Sequence, residues 1–139
     1  MARSEDNVKE FLMSFVRSKR REVSLRTALR QCEPAADAAI RKQLEEEIAV
    51  GIAAREDINK TAGFLFGAKW DVISERYLTP IPIRHGGVTV GWRLRKWEEI
   101  AEAWGYTRRH ILRIHKAALR SLSVLFPSPR GGGRKEGEE

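Results

Sequence analysis

Residues 97–122, WEEIAEAWGYTRRHILRIHKAALRSL, decide the fold because they divide into two amphipathic helices separated by a glycine. Apolar side chains recur on one face of the first helix at Trp97, Ile100, Ala101 and Trp104. Gly105 can adopt the left-handed conformation that ends a helix, and Thr107 suits the N-cap of a second helix that begins at Arg108. The stretch therefore predicts two short helices joined by a sharp turn.

The predicted second helix separates apolar from basic side chains. Its apolar stripe consists of Ile111, Ile114, Ala118, Leu122 and Leu125. The opposite face carries Arg109, Arg113, Lys116 and Arg120. Residues 108–120 hold five basic side chains and no acidic one, so this face is not neutralised within its own helix. A helix fits the major groove of B-DNA and arginine can bind guanine with two hydrogen bonds, so the pattern favours a DNA-binding helix-turn-helix.

The spacing of small and apolar residues supports this interpretation. Ala101 is followed four residues later by Gly105 and six residues after that by Ile111, which lets two helices cross closely at the turn. The alternative is an ordinary helical hairpin whose basic face is only solvated. We favour DNA binding because the basic face, the turn and the spacing coincide.

Two segments carry a resemblance to a known family. Residues 98–122, EEIAEAWGYTRRHILRIHKAALRSL, resemble the region-four helix-turn-helix of bacterial sigma factors, with an EIA helix, a glycine turn, a Ser or Thr cap and a closing A-L-x-x-L. Residues 75–78, ERYL, resemble the segment that precedes this motif in the same proteins. Among variants of the motif, the chain is most similar to phage late transcriptional regulators of the ArpU-like type, to which the Q-type antiterminators are related.

The resemblance implies roles for individual residues. Thr107 would be the cap near a phosphate, and Arg108, Arg109 and Arg113 would read bases. When the residues of the basic face are added to these, the residues expected to bind DNA are Thr107, Arg108, Arg109, His110, Arg113, Lys116 and Arg120. Lys96 replaces the usual Ser or Thr cap, so the first helix is expected to begin earlier, near residues 91–92. Arg109 stands where an acidic reader is common, so the sigma-factor DNA preference is not assumed.

These features imply a sequence-specific transcriptional regulator of phage or prophage type that acts with host RNA polymerase on late genes, as an activator or an antiterminator. The competing class is the phage small terminase subunit, which recognises DNA for packaging and also joins a helix-turn-helix to a helical oligomerisation region. No paired carboxylates, nucleophile with a base or phosphate loop stands out, so no enzyme is expected.

Composition and charge bound the remaining choices. The 139 residues carry a net charge of +7, and the excess is mostly C-terminal: residues 1–60 hold 12 basic and 11 acidic side chains, against 14 and 8 in residues 61–139. A basic field of this kind attracts nucleic acid. The single cysteine, Cys32, excludes an internal disulfide and a cysteine-rich zinc site, and His85, His110 and His115 lack metal-ligand spacing, so no metal is expected. No cofactor is expected either. No apolar run approaches the length of a membrane span, and the first residues do not resemble a signal peptide, which predicts no membrane association and a location in the bacterial host cytoplasm.

Residues 1–60 predict a helical N-terminal region. An amphipathic helix covers residues 8–16, a second short helix residues 25–32, and a long helix runs from Pro34 to about Arg55. A basic cluster lies between the first two helices: Arg17, Lys19, Arg20 and Arg21. It is expected either to be a solvated helix end or to touch phosphate. The long helix is either an arm of an intramolecular bundle or a surface for homo-oligomerisation or polymerase contact.

Residues 61–126 are expected to form the DNA-binding domain, after a break at residues 57–63. A helix ending near Leu78 should bury Phe64, Phe66, Trp70, Val72, Ile73 and Tyr77 in a core that Trp104 and Tyr106 would close. Residues 79–95 form an insertion that could be a small β-hairpin, since two prolines forbid a helix and Gly86-Gly87 can turn. The insertion could contact DNA through Arg84 and Arg93, contact polymerase or be only a loop. The expected fold is all-α with this hairpin, followed by a disordered tail at residues 127–139.

Overall fold

A computed structural model describes residues 2–126, with side chains from residue 5 onward, and the tail predicted to be disordered lies outside these residues. In chain order the elements are α1 (Ala2–Arg30), α2 (Ala38–Ala62), α3 (Gly67–Ile73), a π-helical turn (Ser74–Leu78), β1 (Ile81–His85), β2 (Val88–Arg93), α4 (Trp97–Trp104) and α5 (Arg108–Ser123). The prediction of a mostly helical chain with a small hairpin is confirmed. Within this part of the chain, no helix combines the length and apolar character needed to cross a bilayer.

Helix α1 is continuous, so the prediction of two helices within residues 8–32 was wrong. Residues 2–30 contain neither proline nor glycine, so nothing in the backbone breaks the helix. Its polar middle is stabilised by neighbours instead, because Glu22 accepts hydrogen bonds from Arg26 Nε (2.7 Å) and Arg55 Nη2 (2.5 Å). The basic cluster at residues 17–21 therefore lies in the middle of a helix and not at a helix end.

Helix α2 begins and ends later than its sequence pattern predicts. It starts at Ala38 and continues through the expected break to Ala62. Ile58 and Ala62 are buried in the core, so tertiary packing outweighs the polar residues between them. The helix then ends at Gly63, whose backbone N–H donates to Asn59 O at 3.0 Å.

The predicted β-hairpin is present. Strands β1 and β2 pair antiparallel from Ile81 opposite Arg93 to His85 opposite Val88, with one register shift after Ile83. The turn needs glycines because both of its residues have positive φ, 58° at Gly86 and 80° at Gly87. The hairpin packs along α1, where Arg20 Nε donates to Trp92 O at 3.0 Å.

The core has two parts. The larger joins α1, α2, α3, the π-helical turn and α5, so residues from both predicted segments, 1–60 and 61–126, contribute to it. Its fully buried members include Val8, Leu12, Ile58, Ala62, Ile73, Ala118 and Leu122. The smaller part consists of Val72, Ile100, Ala101 and Ile111, with Trp97, Trp104 and Ile114 packed against it. Helix α5 contributes to both parts and thereby connects them.

Several aromatic and apolar side chains predicted to be buried are exposed. Phe64 and Phe66 are 66% and 85% exposed, because both precede α3, which begins only at Gly67. The prediction that these two side chains are buried depended on helical periodicity, which does not apply to residues outside the helix. Tyr106, in the turn, is 45% exposed, and Leu125 lies beyond the end of α5 and is 43% exposed.

A hydrogen-bonded aromatic pair connects α5 to the π-helical turn. The Tyr77 hydroxyl and His115 Nε2 are 2.6 Å apart, and His115 is only 8% exposed. Burial raises the pKa of Tyr77 to about 12 and, with the nearby cations Lys9 and Arg76, lowers the pKa of His115 to about 4. The imidazole is therefore neutral in the folded protein at physiological pH, and the bond satisfies two buried polar groups.

Folding stability should decrease as pH falls from about 6.5 toward 4. In this range the unfolded chain protonates His115 at its ordinary pKa of 6.5, whereas the folded chain does not. The His115 contribution to the free energy of unfolding should fall by about 2 kcal/mol between pH 7.5 and pH 5, as measured by urea denaturation. His115→Gln should remove most of this decrease. An equal decrease in both proteins would contradict the assignment.

Candidate nucleic-acid interface

The start of α4 is set by Glu99. Its carboxylate accepts the backbone N–H of Lys96 at 2.7 Å and two hydrogen bonds from Arg93, at 3.0 and 3.1 Å. These bonds lower the pKa of Glu99 to about 2, and those from Arg93 have the largest effect. The helix accordingly begins at Trp97, and the expected start near residues 91–92 was wrong because those residues belong to β2.

The connection between α4 and α5 has the predicted geometry. Gly105 has a φ of 70°, in the left-handed region, and the backbone N–H of Tyr106 donates a hydrogen bond to Ala101 O at 2.9 Å. Thr107 is extended, and its Oγ1 accepts the backbone N–H of His110 at 3.1 Å. The chain thus turns sharply after α4, and α5 begins at Arg108 with a side-chain cap.

Helix α5 is oriented by its buried stripe. Ile111 is fully buried against Ile100 and Ala101 of α4, and Ala118 and Leu122 are buried in the larger core. These residues occupy one side of the helix, so the other side faces solvent.

The exposed side of α5 forms a shallow groove between basic side chains. We call the cations that line it, Arg109, Arg113, Lys116 and Arg120, the α5 basic face. Within the described residues, no acidic side chain lies within ion-pair distance of the first three. Arg120 Nε lies 3.5 Å from a carboxylate oxygen of Glu5 at the start of α1. Three positive charges therefore remain without a protein partner in this part of the chain.

The other predicted DNA-binding residues lie at the beginning of α5. Arg108 Nε is 3.0 Å from Glu98 Oε2, an exposed ion pair that is weak in water. The His110 ring packs edge-on against Tyr106, with ring centroids 4.7 Å apart. The first turn contains no acidic residue, so the positive end of the helix dipole adds to the field of the side chains. The structure thus places all seven predicted residues on one end and one face of α5.

The hairpin arginines differ from each other. Arg84 is exposed on β1, whereas Arg93 binds the Glu99 carboxylate through its two terminal nitrogens, Nη1 and Nη2. Arg93 therefore supports the start of α4. Contact of the insertion with DNA through Arg84 and Arg93 stays a prediction.

Two residues of the groove were not identified from the sequence. Leu112 and Ala117 line it between the cations and give it apolar surface. Their spacing could have revealed them, because Leu112 lies three residues after Arg109 and four before Lys116 and so shares their face. Apolar side chains at such positions can contact thymine methyl groups.

No protein-family model, curated protein or solved structure matches this chain. Among residues 2–126, no group of three or more histidine, cysteine or acidic side chains is arranged to hold a metal ion.

Gly105→Ala should destabilise the protein by about 1 kcal/mol. No atom beyond the adjoining residues lies within 4 Å of the position of an added Cβ, so the cost arises only from the left-handed backbone at φ 70°. Gly105→Asn should cost less, because asparagine tolerates this conformation. Chemical denaturation measures both free energies of unfolding. A Gly105→Ala protein as stable as the parent would show that the turn can relax to negative φ.

Proposed function

We propose that this protein is a sequence-specific DNA-binding transcriptional regulator of phage or prophage type that acts with host RNA polymerase on late genes. In this proposal α4 and α5 form the helix-turn-helix, and α5 is the recognition helix in the major groove. The resemblance of residues 98–122 to sigma-factor region four supports the assignment to transcription and the polymerase partner. The similarity to ArpU-like phage regulators supports the phage origin and the late genes.

The observation that carries the proposal is the α5 basic face. Arg109, Arg113 and Lys116 extend from a rigid helix, and no described carboxylate pairs with them. DNA offers both partners that these side chains need, guanine edges for arginine and phosphates for all three. Arg108 can exchange its exposed pair with Glu98 for a phosphate at little cost.

A second candidate is the small terminase subunit, which would need a surface for oligomerisation. The observation in its favour is that α2 leaves apolar side chains exposed, since Ile40, Val50 and Ile52 are 56%, 69% and 38% exposed. Sedimentation of the purified protein separates the two candidates. A ring of eight or more copies would favour DNA packaging, whereas a monomer or dimer that changes transcription by purified polymerase would favour regulation.

Replacing single cations of α5 should separate base reading from phosphate binding. Arg109→Ala and Arg113→Ala should each weaken binding to the selected DNA site by about 1 to 3 kcal/mol and relax its sequence preference. Lys116→Ala should weaken binding to all duplexes about equally and reduce the salt dependence. The site is first selected from a random duplex pool, and affinities are then measured by fluorescence anisotropy at several salt concentrations.

The matched control is Lys60→Ala, which removes one positive charge from an exposed position at the end of α2. It should leave affinity for the selected site nearly unchanged. Equal losses on selected and random DNA for Arg109→Ala, Arg113→Ala and Lys116→Ala would remove the assignment of base reading. No loss in any of the three would remove DNA binding through α5.

A further inference from the structure

A second cationic site lies away from α5, in a cleft between α1, α2 and β2. The cleft has a volume of about 300 Å³. Four cations line it, Lys19, Arg26, Arg30 and Arg55, together with one carboxylate, that of Glu22. All but Arg55 lie on α1, and the packing of α2 against α1 adds Arg55 to the cleft.

The charges in the cleft do not balance. Glu22 is shared between Arg26 and Arg55, which donate to it at 2.7 and 2.5 Å. Lys19 has no carboxylate partner among the residues lining the cleft, and its ammonium lies 3.8 Å above the Trp92 ring. Four cations against one carboxylate leave three positive charges in a concave space, which concentrates the field and attracts anions.

The site is also preorganised. The Arg55 side chain is only 14% exposed and is fixed by a 2.8 Å bond from Nη1 to Ser18 Oγ. Burial and the nearby Arg55 guanidinium lower the pKa of Lys19, so holding this ammonium in the cleft has an energetic cost. An anion bound between Lys19 and the arginines would offset that cost.

We propose that this cleft binds a phosphorylated small molecule of nucleotide size. The arginines and Lys19 would bind the phosphate oxygens, because guanidinium groups match phosphate geometry with paired hydrogen bonds. Val23 and Val88 give the same cleft an apolar wall for the uncharged part of the ligand. The volume falls at the small end of the range for ligand pockets. No residue of α5 lines the cleft, so the inference does not depend on DNA binding.

Calorimetric titration of the full chain with ADP tests the site. ADP should bind, and adenosine, which lacks the phosphates, should not. Lys19→Ala, Arg26→Ala and Arg30→Ala should each weaken ADP binding about tenfold or more, the usual effect of losing a hydrogen bond to a charged group. Arg30 is exposed and lies outside the core, so Arg30→Ala should fold normally. This variant therefore still tests the site if one of the other two is unstable.

Arg84→Ala is the matched control, because it removes an exposed arginine of the hairpin that does not line the cleft. It should bind ADP like the parent. Absence of ADP binding, or equal binding by the parent and all three cleft variants, would overturn the proposal. A duplex titration distinguishes the source of the phosphate: loss of DNA affinity in Lys19→Ala without any ADP binding would assign the cleft to nucleic-acid phosphates and would also overturn it.

Discussion

Burial of the apolar stripe of α5 fixes the direction of every basic side chain on its outer face. Ile111 packs against α4, and Ala118 and Leu122 enter the larger core with α1, α2 and α3. Because a helix repeats every 3.6 residues, burying this stripe turns Arg109 and Lys116 toward solvent. A rotation of α5 would expose several fully buried side chains, so the backbone positions from which the cations extend are fixed by the core beneath them.

The sequence predicts best where local signals and tertiary packing agree. Gly105 and Thr107 specify the turn and the start of α5 by their own chemistry, and Gly86-Gly87 does the same for the hairpin. The N-terminal half is harder, because its helix ends depend on distant partners. Helix α2 continues past its polar stretch since Ile58 is needed in the core, and α1 crosses its polar middle since Glu22 there meets Arg55 of α2.

For the candidate site, the sequence predicts which face of α5 is basic but not which cations are free. Periodicity places Arg109, Arg113 and Lys116 together without any knowledge of their neighbours. Pairing depends on carboxylates that approach only after folding, so Glu98 at Arg108 was not predictable from helical spacing. The cleft was missed because the sequence predicts two helices within residues 8–32, which separates Lys19 from Arg26 and Arg30, and because Arg55 lies on α2.

Among residues 5–126, the distribution of acidic side chains explains why two cationic surfaces remain. Glu99 binds Arg93 and starts α4, Glu47 binds Arg21 across α1 and α2, and Glu22 serves two arginines at once. These carboxylates connect separate elements or separate turns of a helix. They are therefore occupied in structural ion pairs, and of the three only Glu22 pairs with cations of either surface. Along α5 and in the cleft, the described cations outnumber the carboxylates that can pair with them, so both surfaces keep a net positive charge. Anions from outside the chain are the partners that such a field selects, and phosphate is the anion whose geometry arginine matches best.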